Sequence, residues 1–129
     1  VDSTDVISAY AWNPGFGTKY ADPPAVSRPA VDDVEFSPSG ADVALSHGSG
    51  DSISVWPWVP GFGTQYAGPA TPPNGQGYSS AFTSDSSVIA VGANNSPYVS
   101  AYPWNPGFGT KYADPATLPT GQVRGIDFA

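Results

Sequence analysis

Four carboxylates crowd one short stretch, Asp32, Asp33, Glu35 and Asp42, and such side chains pass protons as general acids or bases, or hold calcium. In an extended segment Asp33 and Glu35 share one face and Asp32 takes the other. The matching segment 46 residues on, Tyr78 to Ala81, carries no acid, so a solvated strand face is the stronger reading. His47 has the chemistry of a base, yet no cysteine or second histidine stands with it to complete a triad or a metal set, and Ala93 occupies its repeat position. Serine is frequent, but no G-x-S-x-G nucleophile elbow occurs. Gly15-Phe16-Gly17 lacks the following helix and the Lys-Ser/Thr pair of a phosphate loop. No catalytic residue, metal or cofactor is therefore expected, and an enzyme is the weakest class.

The aromatic residues offer a different chemistry. Pro14-Gly15-Phe16-Gly17-Thr18, with copies beginning at Pro60 and Pro106, sets Phe16, Phe62 and Phe108 between glycines on a hairpin tip close to Trp12, Trp58 and Trp104. Aromatics repeated in this way either fill gaps between neighbouring units or stack on sugar rings and peptide side chains, where several weak copies gain by avidity. For the phenylalanines the packing role is the stronger expectation. Tyr20, Tyr66 and Tyr112 sit beside Lys19, Gln65 and Lys111. Those polar neighbours suggest one exposed side of a strand, which makes the tyrosines, with Lys19 and Lys111, the better ligand-binding candidates.

Composition narrows the partners. Four Lys+Arg against 11 Asp+Glu leave a formal charge of −7, and the cations Lys19, Arg28, Lys111 and Arg124 are never adjacent, so there is no footprint for nucleic acid or an anionic membrane. With no Cys, disulfides, thiolate nucleophiles and Cys-ligated zinc are absent. No apolar run approaches the roughly 18 residues of a membrane span, and Val-Asp-Ser-Thr-Asp at the start is not a signal peptide. With no Met in the sequence, Val1 is not expected to be a translation start. At 40% hydrophobic and 13% aromatic over 129 residues, the chain is too apolar for a disordered acidic tail and long enough for one cored domain.

The elements that must hold these residues follow from a repeat. Trp12, Trp58 and Trp104 recur every 46 residues, as do the phenylalanines at 16, 62 and 108, the tyrosines at 20, 66 and 112, and Phe36, Phe82 and Phe128. The units are about 1–46, 47–92 and 93–129. A period of about 40–50 suits a helical pair or a four-stranded blade. Val6 to Tyr10, Ile53 to Trp56 and Tyr98 to Tyr102 are short β-branched and aromatic runs, as are Val31 to Phe36, Val43 to Ser46, Tyr78 to Phe82 and Val88 to Val91, with Ser37-Pro38-Ser39-Gly40 and Thr83 to Ser86 as turns. No window free of Gly and Pro carries a helical apolar stripe. The chain is expected to be all-β, with about four strands per unit in the manner of a propeller blade.

Val34-Glu35-Phe36-Ser37-Pro38-Ser39-Gly40, Val43 to Ser46 and Gly50-Asp51-Ser52-Ile53-Ser54-Val55-Trp56 resemble the tryptophan-aspartate (WD) repeat, and the duplicated AYPWNPGFGTKYADP text is similar to highly repetitive WD-like propellers of bacterial, phage and environmental sequences. The resemblance implies a β-propeller segment of about three blades acting as a non-enzymatic binding or scaffolding protein, on a virion or outside the cell. A sugar-binding, lectin-like propeller is the alternative, and a hydrolase the third. The family's Asp after the Trp is absent, Pro57 following Trp56, and its His before the first strand is missing, so only Asp51 matches the buried tetrad. A closed propeller needs about four or more blades, more than the chain supplies. The ring is expected to close by homo-oligomerisation, a dimer favoured over a trimer, with a protein or glycan as further partner. The sequence opens on a third-strand candidate and stops on a first-strand candidate, so chains joined end to end would share a blade that lacks one strand.

Overall fold

A computed structural model describes residues 7–23, 30–48 and 50–129; Val6, Arg28 and Ser49 lie outside them. Among the described residues the chain is all-β and forms no helix. The β-branched and aromatic runs become β1 (Tyr10–Trp12), β2 (Phe16–Lys19), β3 (Val31–Phe36), β4 (Asp42–His47), β5 (Ile53–Pro57), β6 (Gly77–Phe82), β7 (Val88–Ala93) and β8 (Val99–Pro103). They assemble as a β1-β2 hairpin and two antiparallel sheets, β3-β4-β5 and β6-β7-β8.

The two larger sheets repeat residue by residue. Val43 pairs with Phe36 on one side and Trp56 on the other; Ile89 pairs with Phe82 and Tyr102. At the outer edge the PGFG loop returns the chain along the last strand. Gly63 N–H donates to Pro57 O at 2.8 Å and Tyr66 N–H to Val55 O at 2.9 Å, and Gly109 to Pro103 O and Tyr112 to Ala101 O repeat these bonds at the same lengths. Each of the two larger sheets has three strands where four per unit are expected from the sequence, because the loop residues make only a single bridge, Trp58 with Phe62 and Trp104 with Phe108.

Burial explains why β4 is apolar at every other position on both faces. Its whole length is buried, but its side chains serve two cores. Ala44 joins Ile53, Val55, Phe82, Ile89, Val91, Tyr102 and Trp104 between the two sheets. Val43 and Leu45 point the other way, with Trp56, against Ile7, Val31, Trp58 and Phe62. A strand buried on both faces has no solvated stripe, which is the continuous pattern Val-Ala-Leu-Ser shows.

Two boundaries differ from the sequence expectation. Tyr98 does not open a strand: it sits at φ 68° in the turn before β8, as Ser52 does at φ 65° before β5, a left-handed position that turn reading by Gly and Pro misses. The strand expected from Val6 to Tyr10 begins only at Tyr10, because among the described residues no strand lies beside Ile7 to Ala9 as β4 lies beside β5. The segment 123–128, a first-strand candidate, forms no strand either, although Val123 N–H donates to Ala93 O at 3.1 Å. Among the described residues no strand lies beside it as β4 lies beside β3 or β7 beside β6.

The loop geometry demands glycine at Gly61, where φ is 102°. An alanine there is strained whatever space surrounds it. Gly61→Ala is expected to cost about 1–3 kcal/mol in thermal or urea melts, whereas Gly121→Ala, whose added Cβ meets nothing within 4 Å, should change stability by no more than about 0.5 kcal/mol.

Candidate functional site

The repeated aromatics converge in two equivalent boxes. Trp58 takes edge-to-face contacts from Tyr20 at 5.3 Å, Phe36 at 5.3 Å and Phe62 at 5.5 Å. Trp104 takes the same three from Tyr66 at 5.1 Å, Phe82 at 6.0 Å and Phe108 at 5.1 Å. Each phenylalanine of the PGFG loop also meets the aromatic two residues before the tryptophan: Phe62 meets Trp56 and Phe108 meets Tyr102. In the first unit Phe16 contacts Tyr10 and Trp12. The loop phenylalanine thus clamps its own hairpin in every unit, Phe36 or Phe82 braces the tryptophan from the first strand of the same sheet, and the tyrosine ties one sheet to the next. Such pairs each contribute about 0.5–1.5 kcal/mol beyond burial.

Asp42 makes the second box different from the first. Its carboxylate is buried, at 3% exposure, and receives two donors: Tyr66 O–H to Oδ1 at 2.9 Å and Trp104 Nε1–H to Oδ2 at 3.0 Å. Asp42 opens β4 and Tyr66 lies on the loop that returns along β5 of the same sheet, whereas Trp104 follows β8 of the next sheet, so the carboxylate is a clasp across the joint. Burial, then the Asp42 hydrogen bond and charge, push the Tyr66 hydroxyl up to about 12. Val88 takes the place of Asp42 in the following unit. Sequence reading had grouped Asp42 with the acids of β3. The signal that sets it apart is an acid directly before the apolar run Val43-Ala44-Leu45, in a chain whose buried Tyr and Trp donors need an acceptor.

The binding candidates are therefore placed unequally. Tyr66 is occupied by Asp42 and Trp104, Tyr20 lies against Trp58, and Tyr112 is 49% exposed. Lys19 Nζ pairs with Asp22 at 2.6 Å, and Lys111 pairs with Asp114 at the same three-residue spacing. Phe62 and Phe108 are half-buried, and Phe16 is 83% exposed. These residues do not meet in one pocket; they lie along successive joints.

The acidic group is split by its contacts. Asp33 accepts the Ser80 N–H at 2.9 Å and Asp32 accepts from Gln76 Nε2 at 2.7 Å, so both link β3 to the next unit. Glu35 faces Asp127 across a polar groove, and burial, then the charges of Asp33 and Asp127, raise its carboxyl above the ordinary range. Arg124, on the same groove, stacks over the Tyr78 ring at 4.4 Å. Among the described residues no three His, Cys, Asp or Glu side chains are grouped as a metal site. His47 is buried at 0% exposure, with Nε2 and Ser54 Oγ 2.8 Å apart. That pair has the atoms of a base and a hydroxyl but no route for a substrate.

Tyr66→Phe leaves one oxygen of a buried carboxylate without its donor, and is expected to cost about 1–3 kcal/mol. The alkaline limb gives an independent check. Burial also pushes Tyr102, whose O–H donates to Thr71 O, up to about 12, whereas an unfolded tyrosine titrates near about 10. The folded state holds these protons more tightly, so their stabilisation is complete below pH of about 10 and is lost as pH rises towards about 12. Urea melts of the parent should fall through that window, and Tyr66→Phe should fall less steeply.

Comparison with protein-family models and with curated proteins returns no match, so the functional reading rests on the chain's own geometry.

Proposed function

We propose that the chain is a non-enzymatic scaffold built from WD-like propeller blades, whose repeated aromatics join unit to unit. The observation that carries this reading is the Asp42–Tyr66–Trp104 clasp. A carboxylate removed from water and satisfied by donors from two units serves cohesion, because no ligand can reach it without opening the joint. The edge-to-face boxes around Trp58 and Trp104 support the same reading, since they use most of the aromatics that a stacking platform would have to present. The antiparallel meander of three strands with a loop-extended edge, repeated in register, supports the reading, a propeller blade being a four-stranded meander of the same kind. The burial of His47 and the engagement of Asp32 and Asp33 by backbone and amide donors argue against catalysis. A virion or surface location accords with a purely structural part.

One observation favours the lectin-like alternative: Tyr10, Trp12 and Phe16 are exposed together on the first hairpin, and exposed aromatic faces stack on sugars. Replacing Tyr20, Tyr66 and Tyr112 together with Ala separates the readings. For the scaffold, melting drops sharply, because truncating a packed aromatic costs about 3–5 kcal/mol and two of the three are packed. A glycan array then registers no capture by the parent. For the lectin, the array registers capture by the parent, and replacing the exposed Trp12 and Phe16 with Ala removes that capture while leaving the melting temperature nearly unchanged.

A further inference from the structure

The joint between units has two sides, and the described residues show one of each exposed, Tyr10 and Trp12 on the first hairpin and Tyr112 and Phe128 beyond β8. Between the two large sheets, the first presents Ala44, Ile53 and Val55 and the second inserts Tyr102 and Trp104. Moved on by 46 residues, the presenting face becomes Ala90, Val99 and Ala101. These line an open groove of about 260 Å³, together with Tyr112, Ile126 and Phe128. The inserting residues moved back by 92 become Tyr10 and Trp12. Trp12 is 69% exposed where Trp104 is 4%, and Tyr10 is 44% exposed where Tyr102 is 0%.

The spacing identifies what fits the groove. Trp58 packs on the tyrosine 38 residues before it and the phenylalanine 22 before it, Tyr20 and Phe36; Trp104 packs on Tyr66 and Phe82 at the same distances. Tyr112 and Phe128 are the third such pair, 49% and 39% exposed, and no tryptophan follows them in the sequence. Trp12 is the tryptophan whose described ring contact is its own hairpin's Phe16 alone.

We propose that this groove receives the β1-β2 hairpin of a second copy, seating the second copy's Trp12 against Tyr112 and Phe128. The contact is heterologous, one copy's tail on the other's head, so it either closes a ring or continues as an array. It is weaker than the internal joint for two reasons. Among the described residues the hairpin carries no counterparts of Ile89 and Val91, and Val88 stands where Asp42 would accept the incoming indole N–H. The inference rests on the repeated contact and not on the scaffold reading, which survives if the second copy does not bind.

Light scattering on the full chain at micromolar concentration tests it. The expected mass is at least twice 13.2 kDa. Trp12→Ala and Phe128→Ala should each give a monomer with the parent's far-ultraviolet dichroism, because both side chains are exposed in the single copy. Mixing the two variants should restore a one-to-one complex, since one retains the groove and the other the hairpin. A monomeric parent overturns the proposal and points to a different occupant, such as a further unit of a longer chain or another protein. So does an oligomer that survives both substitutions, or a mixture that stays monomeric. If a variant misfolds, the parent's fluorescence decides. Trp12 is the most exposed of the four indoles, so emission should move to the blue as concentration rises, and emission independent of concentration overturns the proposal.

Discussion

A three-stranded sheet has two faces and cannot cover both. Everything else in this chain follows from the way each sheet borrows its neighbour to cover the second face. The middle strand β4 is buried along its length because it stands between two joints, sending Val43 and Leu45 to one and Ala44 to the other. The outer loops obey the same constraint. A hairpin tip in water would have no use for Phe62, but a tip folded back over Trp56 and Trp58 extends the apolar cover to the edge of the joint. Hydrophobic burial sets the spacing of the repeat, and the aromatic edges set its angular fit.

Against this apolar background Asp42 is the costly residue. Taking a carboxylate out of water is expensive unless its oxygens are matched, and here both are matched by donors that would themselves be unsatisfied if buried alone. Removing any one of the three leaves the other two in worse surroundings than solvent. The clasp therefore contributes less to net stability than to fixing how two units face each other, and it works only when the tyrosine of one unit and the tryptophan of the next arrive together.

Much of this was legible in the sequence. The 46-residue return of Trp12, Trp58 and Trp104, with short β-branched runs between them, predicts β3 to β8 to within a residue or two, because period and propensity are local properties. It places the first strand too early, however, and expects a fourth strand that the two larger sheets lack. The role of Phe62 was readable for the same reason. Tyr98 was misread because a non-glycine residue in the left-handed region leaves no compositional trace. Asp42 was misplaced because its partners lie 24 and 62 residues away, and a one-dimensional grouping put it with Asp32, Asp33 and Glu35, which lie on a different strand. The tyrosines looked alike because the text around them is alike. Their burial differs because exposure depends on which units flank them, and a repeat by itself says nothing about its own ends.

The single carboxylate also ranks the joints by how readily they part. The boxes at Trp58 and Trp104 have the same ring geometry, but among the described residues only the second must strand a buried charge and two polar hydrogens when it opens. Thermal fluctuation will therefore lift the β1-β2 hairpin away while the two larger sheets remain together, since local openings are drawn from the least costly contacts. A pulling force or a protease meets an ordered sequence of failures, beginning at the β1-β2 hairpin, whose contacts with the next sheet include no such clasp among the described residues.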